Sequence, residues 1–473
     1  MGNEKKDRTA TNLQGDLQQA LSILSQKLSN RFVSSPAVRE QHANTLTWIA
    51  NQPPDAVVFP ENTAEVAEIV SVCAAHRVPV IPFGTGTSFE GHVNAPRGGV
   101  SIDTSRMNRV RVVHAEDLDA IVEPGVTRKA LNEHLRDQGL FFPIDPGADA
   151  SIGGMVATRA SGTNAVRYGT MKDNVLSLEV VLADGRITTT ARRSKKSSAG
   201  YDLTRLFVGS EGTLGVVTAA TLRLHGIPEA IAAGICPFPT EKSACDATIL
   251  AIQTGLPVAR IELLDPVQVR ACNAYSKLTL PETPMLFLEF HGTDAGVAEQ
   301  CARFAEIAAD CGGGTFEWAT KPEERTRLWQ ARHDAYWAAT ALRPGAKGIS
   351  TDVCVPISRL AECVAETKRD LDETGLLAPI VGHVGDGNFH VLPLIDMNDP
   401  AEIEKGRAFV ERLVRRALAM EGTCTGEHGI GQAKMKYMLE EHGEPTLDAM
   451  RAIKRALDPL DIMNPGKIVE LRP

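Results

Sequence analysis

The sequence lacks three features, and each absence excludes a class of protein. It contains no CxxC pair among nine scattered cysteines, which excludes an iron–sulfur cluster of the usual spacing and favours a reducing compartment. No stretch approaches the roughly 18 consecutive apolar residues of a membrane-spanning helix, and the polar N-terminus lacks the apolar core of a signal peptide. Lys and Arg total 50 against 59 Asp and Glu, so a net charge of −9 argues against a nucleic-acid partner. We expect a cytoplasmic protein without a membrane span.

The length of the chain and its pattern of apolar residues predict several packed units. At 473 residues the chain is long enough for about two or three hydrophobic cores. The pattern of apolar residues predicts a docking helix within residues 1–50 and a domain that begins with a β-α-β unit at 51–227. It predicts two passes of strand, helix and strand at the start of 228–430. The chain from residue 322 onward is expected to be mostly helical, and a last helical segment spans 431–473. The apolar stripe of the first helix is formed by Leu13, Leu17, Leu21, Leu24 and Leu28.

Three segments rich in glycine and small hydroxyl residues lie in the first half of the chain, at 82–91, 146–170 and 208–218. Glycines let successive backbone N–H groups converge on an anion, because no Cβ obstructs them. The spacing fits neither the Rossmann fingerprint nor the P-loop, and a single such segment could be a tight surface turn. Three together indicate one extended ligand of the size of a dinucleotide.

Two histidines in the second half could share a metal ion. His383 and His390 flank an Asp-Gly dipeptide, a strong two-residue hairpin signal that would pair 383 with 390 on one face. Glu427 and His428 lie between glycines further on, and a carboxylate with two imidazoles makes a ligand set with an open position. The sequence alone leaves two alternatives open: a metal site, or hydrogen-bonded core histidines in segments that do not meet.

An arginine further upstream could bind a substrate anion. Arg332 follows Trp329 by one turn of a predicted helix, and its planar guanidinium suits a carboxylate. An exposed arginine in a charge-rich segment is the plain alternative. Tyr336 lies one further turn along the same predicted face and is expected to line the same pocket.

In combination, the glycine-rich segments resemble the FAD-binding domain of the vanillyl-alcohol oxidase (PCMH) type. The second half resembles the C-terminal domain of FAD-linked oxidases, in the branch of D-lactate dehydrogenases and glycolate oxidases, and the likeness extends from about Pro53 to Ile468. It implies an α+β protein with an FAD-binding domain at 51–227 and a ferredoxin-like substrate and metal domain, the cap, at 228–430. A mostly helical C-terminal segment, 431–473, would return to the FAD domain.

The resemblance implies non-covalent FAD, because small residues stand where some relatives attach FAD through a His. One loop would hold the pyrophosphate: Pro82, Gly84, Thr85, Gly86, Thr87 and Ser88. A second set would line the flavin and its ribityl chain: Pro146, Gly147, Ser151, Gly153, Gly154, Thr158, Ser161 and Gly162. The adenosine end would lie at Glu211, Gly212, Gly215 and Val216, and the isoalloxazine near Asn464.

The resemblance also implies roles for the polar cluster. His383, His390 and Glu427 would bind a divalent metal, for which Zn²⁺ is well suited and Mn²⁺ or Fe²⁺ compatible. His428 would act as the acid/base and contact the substrate, and Arg332 would grip the substrate carboxylate.

The implied activity is oxidation of a D-2-hydroxy acid, with D-lactate to pyruvate as the expected reaction and hydride transfer to flavin N5. The alternatives are a D-2-hydroxyglutarate dehydrogenase, a glycolate oxidase subunit and, in another class, a non-catalytic electron-transfer subunit. Relatives that oxidise D-2-hydroxyglutarate hold its distal carboxylate with a Lys and an Asn, at the positions of Ser350 and Leu392 here, which favours a monocarboxylate.

A separate electron acceptor is expected, because the sequence carries neither a cluster motif nor a haem-attachment motif. Cytochrome c, a quinone and an electron-transfer flavoprotein remain open, and the acceptor could bring the protein to a membrane surface. A homodimer is compatible with these features.

Overall fold

The computed structural model describes residues 2–44 and 48–471, with side chains described from Gly15 onward. The first elements are α1 (Gly2–Leu28), β1 (Phe32–Val33) and α2 (Pro36–Gln41). Leu24 and Leu28 of α1 are buried against the first sheet, and Leu17 and Leu21 pack beside them. The predicted docking stripe is therefore confirmed from Leu17 onward, whereas the side chain of Leu13 lies outside the described residues.

A parallel β-α-β unit follows, made of β2 (Ala56–Val58), α3 (Thr63–Ala75), β3 (Val80–Phe83) and β4 (Val100–Asp103). The sheet order is β1-β2-β4-β3, with β1 antiparallel at the edge. The side chain of Asn62 accepts the backbone N–H of Glu65 at 3.0 Å and so caps α3. The predicted unit is confirmed, and the first glycine-rich loop begins where β3 ends.

A five-stranded antiparallel sheet continues the first half, with helices packed against it. Its strands are β5 (Val110–His114), β6 (Asp119–Val122), β8 (Val175–Val181), β9 (Ile187–Thr189) and β10 (Val216–Arg223), in the order β5-β6-β10-β8-β9. A short ladder pairs β7 (Leu140–Phe141) with β11 (His225–Gly226). The helices are α4 (Arg128–Leu135), α5 (Ile152–Thr158), α6 (Ala165–Tyr168), α7 (Met171–Asn174) and α8 (Leu203–Phe207).

The cap begins with two passes of strand, helix and strand. The first pass is β12 (Ala230–Pro237), α9 (Glu241–Gln253) and β13 (Val258–Leu264), followed by α10 (Pro266–Ser276). The second pass is β14 (Met285–Gly292), α11 (Asp294–Asp310) and β15 (Glu317–Ala319). The strands pair in the order β15-β12-β14-β13, which is the ferredoxin-like order. The predicted duplication is confirmed.

Helices dominate the remainder, but five short strands interrupt them. The helices are α12 (Pro322–His333), α13 (Ala335–Ala341), α14 (Leu360–Thr374), α15 (Pro400–Ala419), α16 (Met438–His442) and α17 (Glu444–Leu457). The strands are β16 (Lys347–Gly348), β17 (Val353–Cys354), β18 (Ile380–Gly382), β19 (Asn388–Val391) and β20 (Leu394–Ile395). β18, β19 and β17 extend the cap sheet beyond β13; His390 lies on β19, and His383 directly follows β18.

The C-terminal tail returns to the first sheet. The N–H of Val80 donates to the carbonyl of Ile462 at 2.8 Å, and the N–H of Asn464 donates to the carbonyl of Val80 at 2.8 Å. Ile462 and Met463 are buried in the core beneath that sheet. Among the described helices, none has the length and hydropathy needed to cross a membrane.

Candidate active site

A cavity of about 570 Å³ lies between the first half of the chain and the cap. Glycine-rich segments line it from one side and the polar cluster of the cap from the other, so the predicted cofactor and substrate residues share one space. Its volume is typical of a ligand site. The predicted site residues that line it are Pro82, Gly84, Thr85, Gly86, Thr87, Ser88, Pro146, Gly147, Gly154, Thr158, Ser161, Glu211, Gly212, Arg332, Tyr336, His383, His390, Glu427, His428 and Asn464.

Five residues of the predicted cofactor set do not line the cavity: Ser151, Gly153, Gly162, Gly215 and Val216. Ser151 is the N-cap of α5 and accepts the N–H of Gly154 at 3.4 Å. Val216 is buried in the core of the first sheet, and a Cβ on Gly215 would come within 2.6 Å of Val180. The other two glycines also touch neighbouring groups so closely that a Cβ would collide. These residues shape the walls behind the cavity.

The loop from Gly84 to Ser88 has the properties of an anion site. Within the described chain, none of its backbone N–H groups donates to another backbone group. Gly86 has a φ of +66°, which favours glycine, and a Cβ on Gly84 would come within 2.2 Å of the Ser151 hydroxyl oxygen. Free donors in a cradle that a Cβ would fill fit the pyrophosphate of a dinucleotide such as FAD.

His383, His390 and Glu427 meet on the cap side of the cavity. The Nε2 atoms of the two histidines lie 3.1 and 3.3 Å from Oε1 of Glu427. The two imidazole centres are 5.4 Å apart with the rings nearly perpendicular. The three candidate ligand atoms all lie within 4.8 Å of one another. One divalent ion can bridge atoms at this spacing.

The connection between the two histidines differs from the predicted hairpin. Val381 stands opposite His390, so the pairing of 383 with 390 is wrong by two residues. The N–H groups of Asp386 and Asn388 both donate to the carbonyl of His383, which forms a longer turn closed by the left-handed residue Gly387. A shift of two residues keeps the same face of a strand. The two imidazoles therefore still meet.

The second ring nitrogen of each histidine faces an acceptor. His383 Nδ1 lies 2.7 Å from Oε1 of Glu262, and His390 Nδ1 lies 2.9 Å from the carbonyl oxygen of Thr351. Hydrogen on each Nδ1 leaves the lone pair of each Nε2 facing Glu427. Two lone pairs and a carboxylate oxygen repel one another unless protons or a metal cation lie between them, and one divalent cation can be bound by all three atoms. The donor set therefore fits a divalent metal.

The electrostatics of this cluster favour positive charge. Burial by itself would lower the pKa of His383, but Glu262 and Glu427 reverse that effect and raise the pKa well above its usual value. Burial would raise the pKa of Glu427, but the two histidines outweigh burial and lower it.

Asp352, His390 and His428 form a second group of possible metal ligands, but its carboxylate is already bonded. Oδ2 of Asp352 accepts the backbone N–H groups of Glu427 and His428 at 2.9 and 2.8 Å, and the Thr425 hydroxyl at 2.7 Å. Its other oxygen accepts a side-chain amide at 2.8 Å. Asp352 therefore shapes the backbone that presents Glu427 and His428.

His428 contacts both the candidate metal ligands and the residues that directly follow the Gly84–Ser88 loop. Its ring stacks on His390 with centres 5.1 Å apart, and its Nδ1 lies 3.5 Å from Oε1 of Glu90. The same Glu90 oxygen is 2.9 Å from the Lys434 ammonium. Burial by itself would lower the pKa of His428, but the negative charges of Asp352 and Glu90 outweigh burial and raise it.

Arg332 is buried at the cavity wall and is bonded to an acid that was not predicted. Its Nε and Nη2 donate to Oε2 of Glu262 at 2.9 and 2.6 Å. Tyr336 lies on a different helix, because α12 ends before Asp334 and α13 begins after it. The predicted common helix face is therefore wrong, although Tyr336 lines the cavity and packs on Phe89.

Sequence reasoning assigned no role to four buried charged residues that contact the site: Glu90, Glu262, Asp352 and Lys434. Glu262 carried a usable signal, because an acid between apolar residues of a central strand is costly to bury without a partner. The carboxylate of Glu211 lines the cavity and also has a structural partner. It accepts the N–H groups of Ile430 and Gly431 at 2.7 and 2.8 Å, which fastens the segment that follows His428.

The fold and the site define an FAD-linked oxidoreductase of the vanillyl-alcohol oxidase type. A solved structure of p-cresol methylhydroxylase with substrate bound has the same fold, with a TM-score of 0.81 at 19% identity over 97% of this chain and 98% of that one. Residues 54–191 match the family described as FAD binding domain, and 227–468 match FAD linked oxidases, C-terminal domain. The chain belongs to this family of FAD-linked oxidases.

Two relatives are similar over most of their length. A zebrafish (Danio rerio) protein named as a probable mitochondrial D-lactate dehydrogenase is 56% identical over 92% of this chain and 88% of its own. An Arabidopsis thaliana protein named as a mitochondrial D-lactate dehydrogenase [cytochrome] is 50% identical over 88% of this chain and 73% of its own.

Proposed function

We propose that this protein oxidises D-lactate to pyruvate with non-covalent FAD and a divalent metal. The observation that carries the proposal is the convergence of two histidine Nε2 atoms and Glu427 beside a buried arginine, in the same cavity as the loop with free amides. The names of the relatives at 56% and 50% identity support D-lactate as the substrate.

Each polar residue has a distinct part in the proposed reaction. FAD supplies the acceptor for the two electrons that leave C2, and a divalent metal held by His383, His390 and Glu427 supplies Lewis acidity. Arg332 binds the substrate carboxylate through Nη1, because its Nε and Nη2 are bonded to another acid. His428 accepts the hydroxyl proton at Nε2, because its Nδ1 is turned away towards the phosphate loop.

The cavity lining favours a monocarboxylate. Ser350 and Leu392 both line it, and among the described lining residues Arg332 is the one lysine or arginine. A second carboxylate would be buried beside an apolar side chain without a cation, at a cost of about several kcal/mol. D-lactate avoids this cost.

Electrons are proposed to pass to a cytochrome, since the Arabidopsis relative is named for that acceptor. Zn²⁺, Mn²⁺ and Fe²⁺ all suit the donor set. The names of the relatives place those proteins in mitochondria. For this chain the cytoplasmic location, the homodimer and the domain boundaries at 50, 227 and 430 stay predictions.

A substrate panel tests the proposal. Under nitrogen, D-lactate should bleach the yellow flavin, whereas L-lactate, the matched control, should not. With a dye as acceptor, kcat/KM for D-lactate should exceed that for D-2-hydroxyglutarate by on the order of 10² or more, since about 1.4 kcal/mol is tenfold. Preference for glycolate or for the dicarboxylate would contradict the proposed substrate.

A further inference from the structure

One buried carboxylate contacts both the candidate metal site and the candidate substrate clamp. Glu262 lies on β13, and its side chain is 1% exposed. Its Oε1 is 2.7 Å from His383 Nδ1, and its Oε2 accepts two hydrogen bonds from Arg332. These partners are 121 and 70 residues away in sequence, so the carboxylate joins two remote segments.

We propose that Glu262 is a positioning residue that sets the tautomer of His383 and the orientation of Arg332 together. This inference rests on the proposed function, which gives His383 and Arg332 their roles. An ionised carboxylate has acceptors and no donors, so both neighbours must donate to it. His383 then carries its hydrogen on Nδ1 and presents the Nε2 lone pair to a metal.

The fold holds this carboxylate in place. β13 is a central strand of the cap sheet, paired with β14 on one side and β18 on the other. The pairing with β18 sets Leu263 opposite Gly382, the residue before His383. The strand pairing thus brings Glu262 to His383, and two hydrogen bonds to the single oxygen Oε2 hold Arg332 beside it.

Glutamine cannot replace Glu262 at this position. Its amide offers one acceptor and one donor group, so it can accept hydrogen bonds from only one of the two neighbours. An NH₂ group facing His383 would move the ring hydrogen to Nε2 and remove the metal ligand. An NH₂ group facing Arg332 would place a donor against the two N–H donors of the guanidinium, so no hydrogen bond could form there.

Glu289 provides a matched control on the neighbouring strand β14. It is also a buried acid with a histidine and an arginine as partners, since its Oε1 lies 2.8 Å from His291 Nε2 and 3.5 Å from Arg260 Nε. Neither partner belongs to the candidate metal site. Glu289→Gln should therefore reproduce the cost of changing such an acid without changing metal binding.

The test is a chelator-competition titration with Zn²⁺ or Mn²⁺ on FAD-loaded protein without substrate. Glu262→Gln should weaken metal binding about 10- to 100-fold, the usual effect of losing such a partner, and Glu289→Gln should bind as the unchanged protein does. With metal at saturation, Glu262→Gln should raise KM for D-lactate by on the order of tenfold, because in either orientation of the amide Arg332 loses the negatively charged partner that fixes its guanidinium.

Equal metal affinity in the two glutamine variants would overturn the role of Glu262 and leave the proposed function intact. If the unchanged protein bound no divalent metal, the metal site itself would be wrong. Should Glu262→Gln fail to retain FAD, Glu262→Asp serves instead, because its shorter side chain cannot reach both partners. It should then weaken metal binding or raise KM, and a variant unchanged in both would also overturn the role.

Discussion

His428 is adjacent in sequence to a candidate metal ligand, yet its ring faces a different partner. Replacing His428 by Asn should slow flavin reduction by D-lactate by roughly 10²- to 10⁴-fold, because a positioned acid/base is lost. The metal content should be retained, since the proposed ligands are the side chains of His383, His390 and Glu427. Stopped-flow reduction with metal analysis of the same sample checks both. Loss of metal would mean that the roles of Glu427 and His428 are exchanged.

His383 should show the opposite behaviour. His383→Ala removes one of the three proposed metal ligands, so metal content should fall while FAD remains bound, because the proposed phosphate loop lies in another part of the chain. His291→Ala is the matched control, since His291 is also buried in the cap sheet but contacts Glu289 and Tyr168. Metal analysis and the flavin absorbance measure the two contents. Equal metal in both variants would contradict the assignment of His383.

At the scale of elements, the N-cap of α10 predicts a pH-dependent stability. Asp265 accepts the N–H groups of Gln268 and Ile380 at 2.8 and 3.1 Å, but burial raises the pKa of its carboxyl to about 7. The folded state therefore holds this proton more tightly than the unfolded state, whose pKa is near 3.8. The free energy of unfolding therefore falls as the pH rises from the unfolded pKa to the folded pKa, and above pH 7 this contribution is lost completely.

Asp265→Asn cannot ionise, so this contribution should disappear. As the pH rises from 4 to 8, the unchanged protein should lose a few kcal/mol of unfolding free energy relative to Asp265→Asn, since one pKa unit is about 1.4 kcal/mol. Melting temperatures across that range measure the shift. Asp399→Asn at the exposed cap of α15 is the control. Parallel pH profiles for Asp265→Asn and the control would refute the role of burial.

Helices and strands with strong local sequence signals could be predicted from the sequence, whereas turns and strands that depend on remote contacts could not. The cap of α3 at Asn62 and the strand-helix-strand passes of the cap follow from side-chain chemistry and periodicity. The turn after His383 was missed, because an Asp-Gly pair signals a hairpin whereas the carbonyl of His383 collects two N–H groups. Strands of two residues, such as β16 and β17, carry too little periodicity to be recognised in the sequence.

At the scale of the whole molecule, the site depends on contacts across more than 200 residues. Glu211 holds the backbone of Ile430 and Gly431, and the side chain of Asn464 donates to the carbonyls of His92 and Glu211 at 3.1 and 2.7 Å. The glycine-rich composition of some segments and the His and Glu residues of others predicted which segments form the site. Their meeting could be expected only from the family resemblance, because no local pattern specifies such distant pairs.

The most direct test of the account is the rate at which D-lactate reduces the flavin in metal-free and metal-restored protein. Chelation, verified by elemental analysis, should leave FAD bound and slow flavin reduction by at least about 10²-fold, because the Lewis acid that activates the hydroxyl is gone. Adding back Zn²⁺, Mn²⁺ or Fe²⁺ should restore the rate. A verified metal-free protein that still reduces its flavin at the normal rate would contradict metal-assisted oxidation of D-lactate.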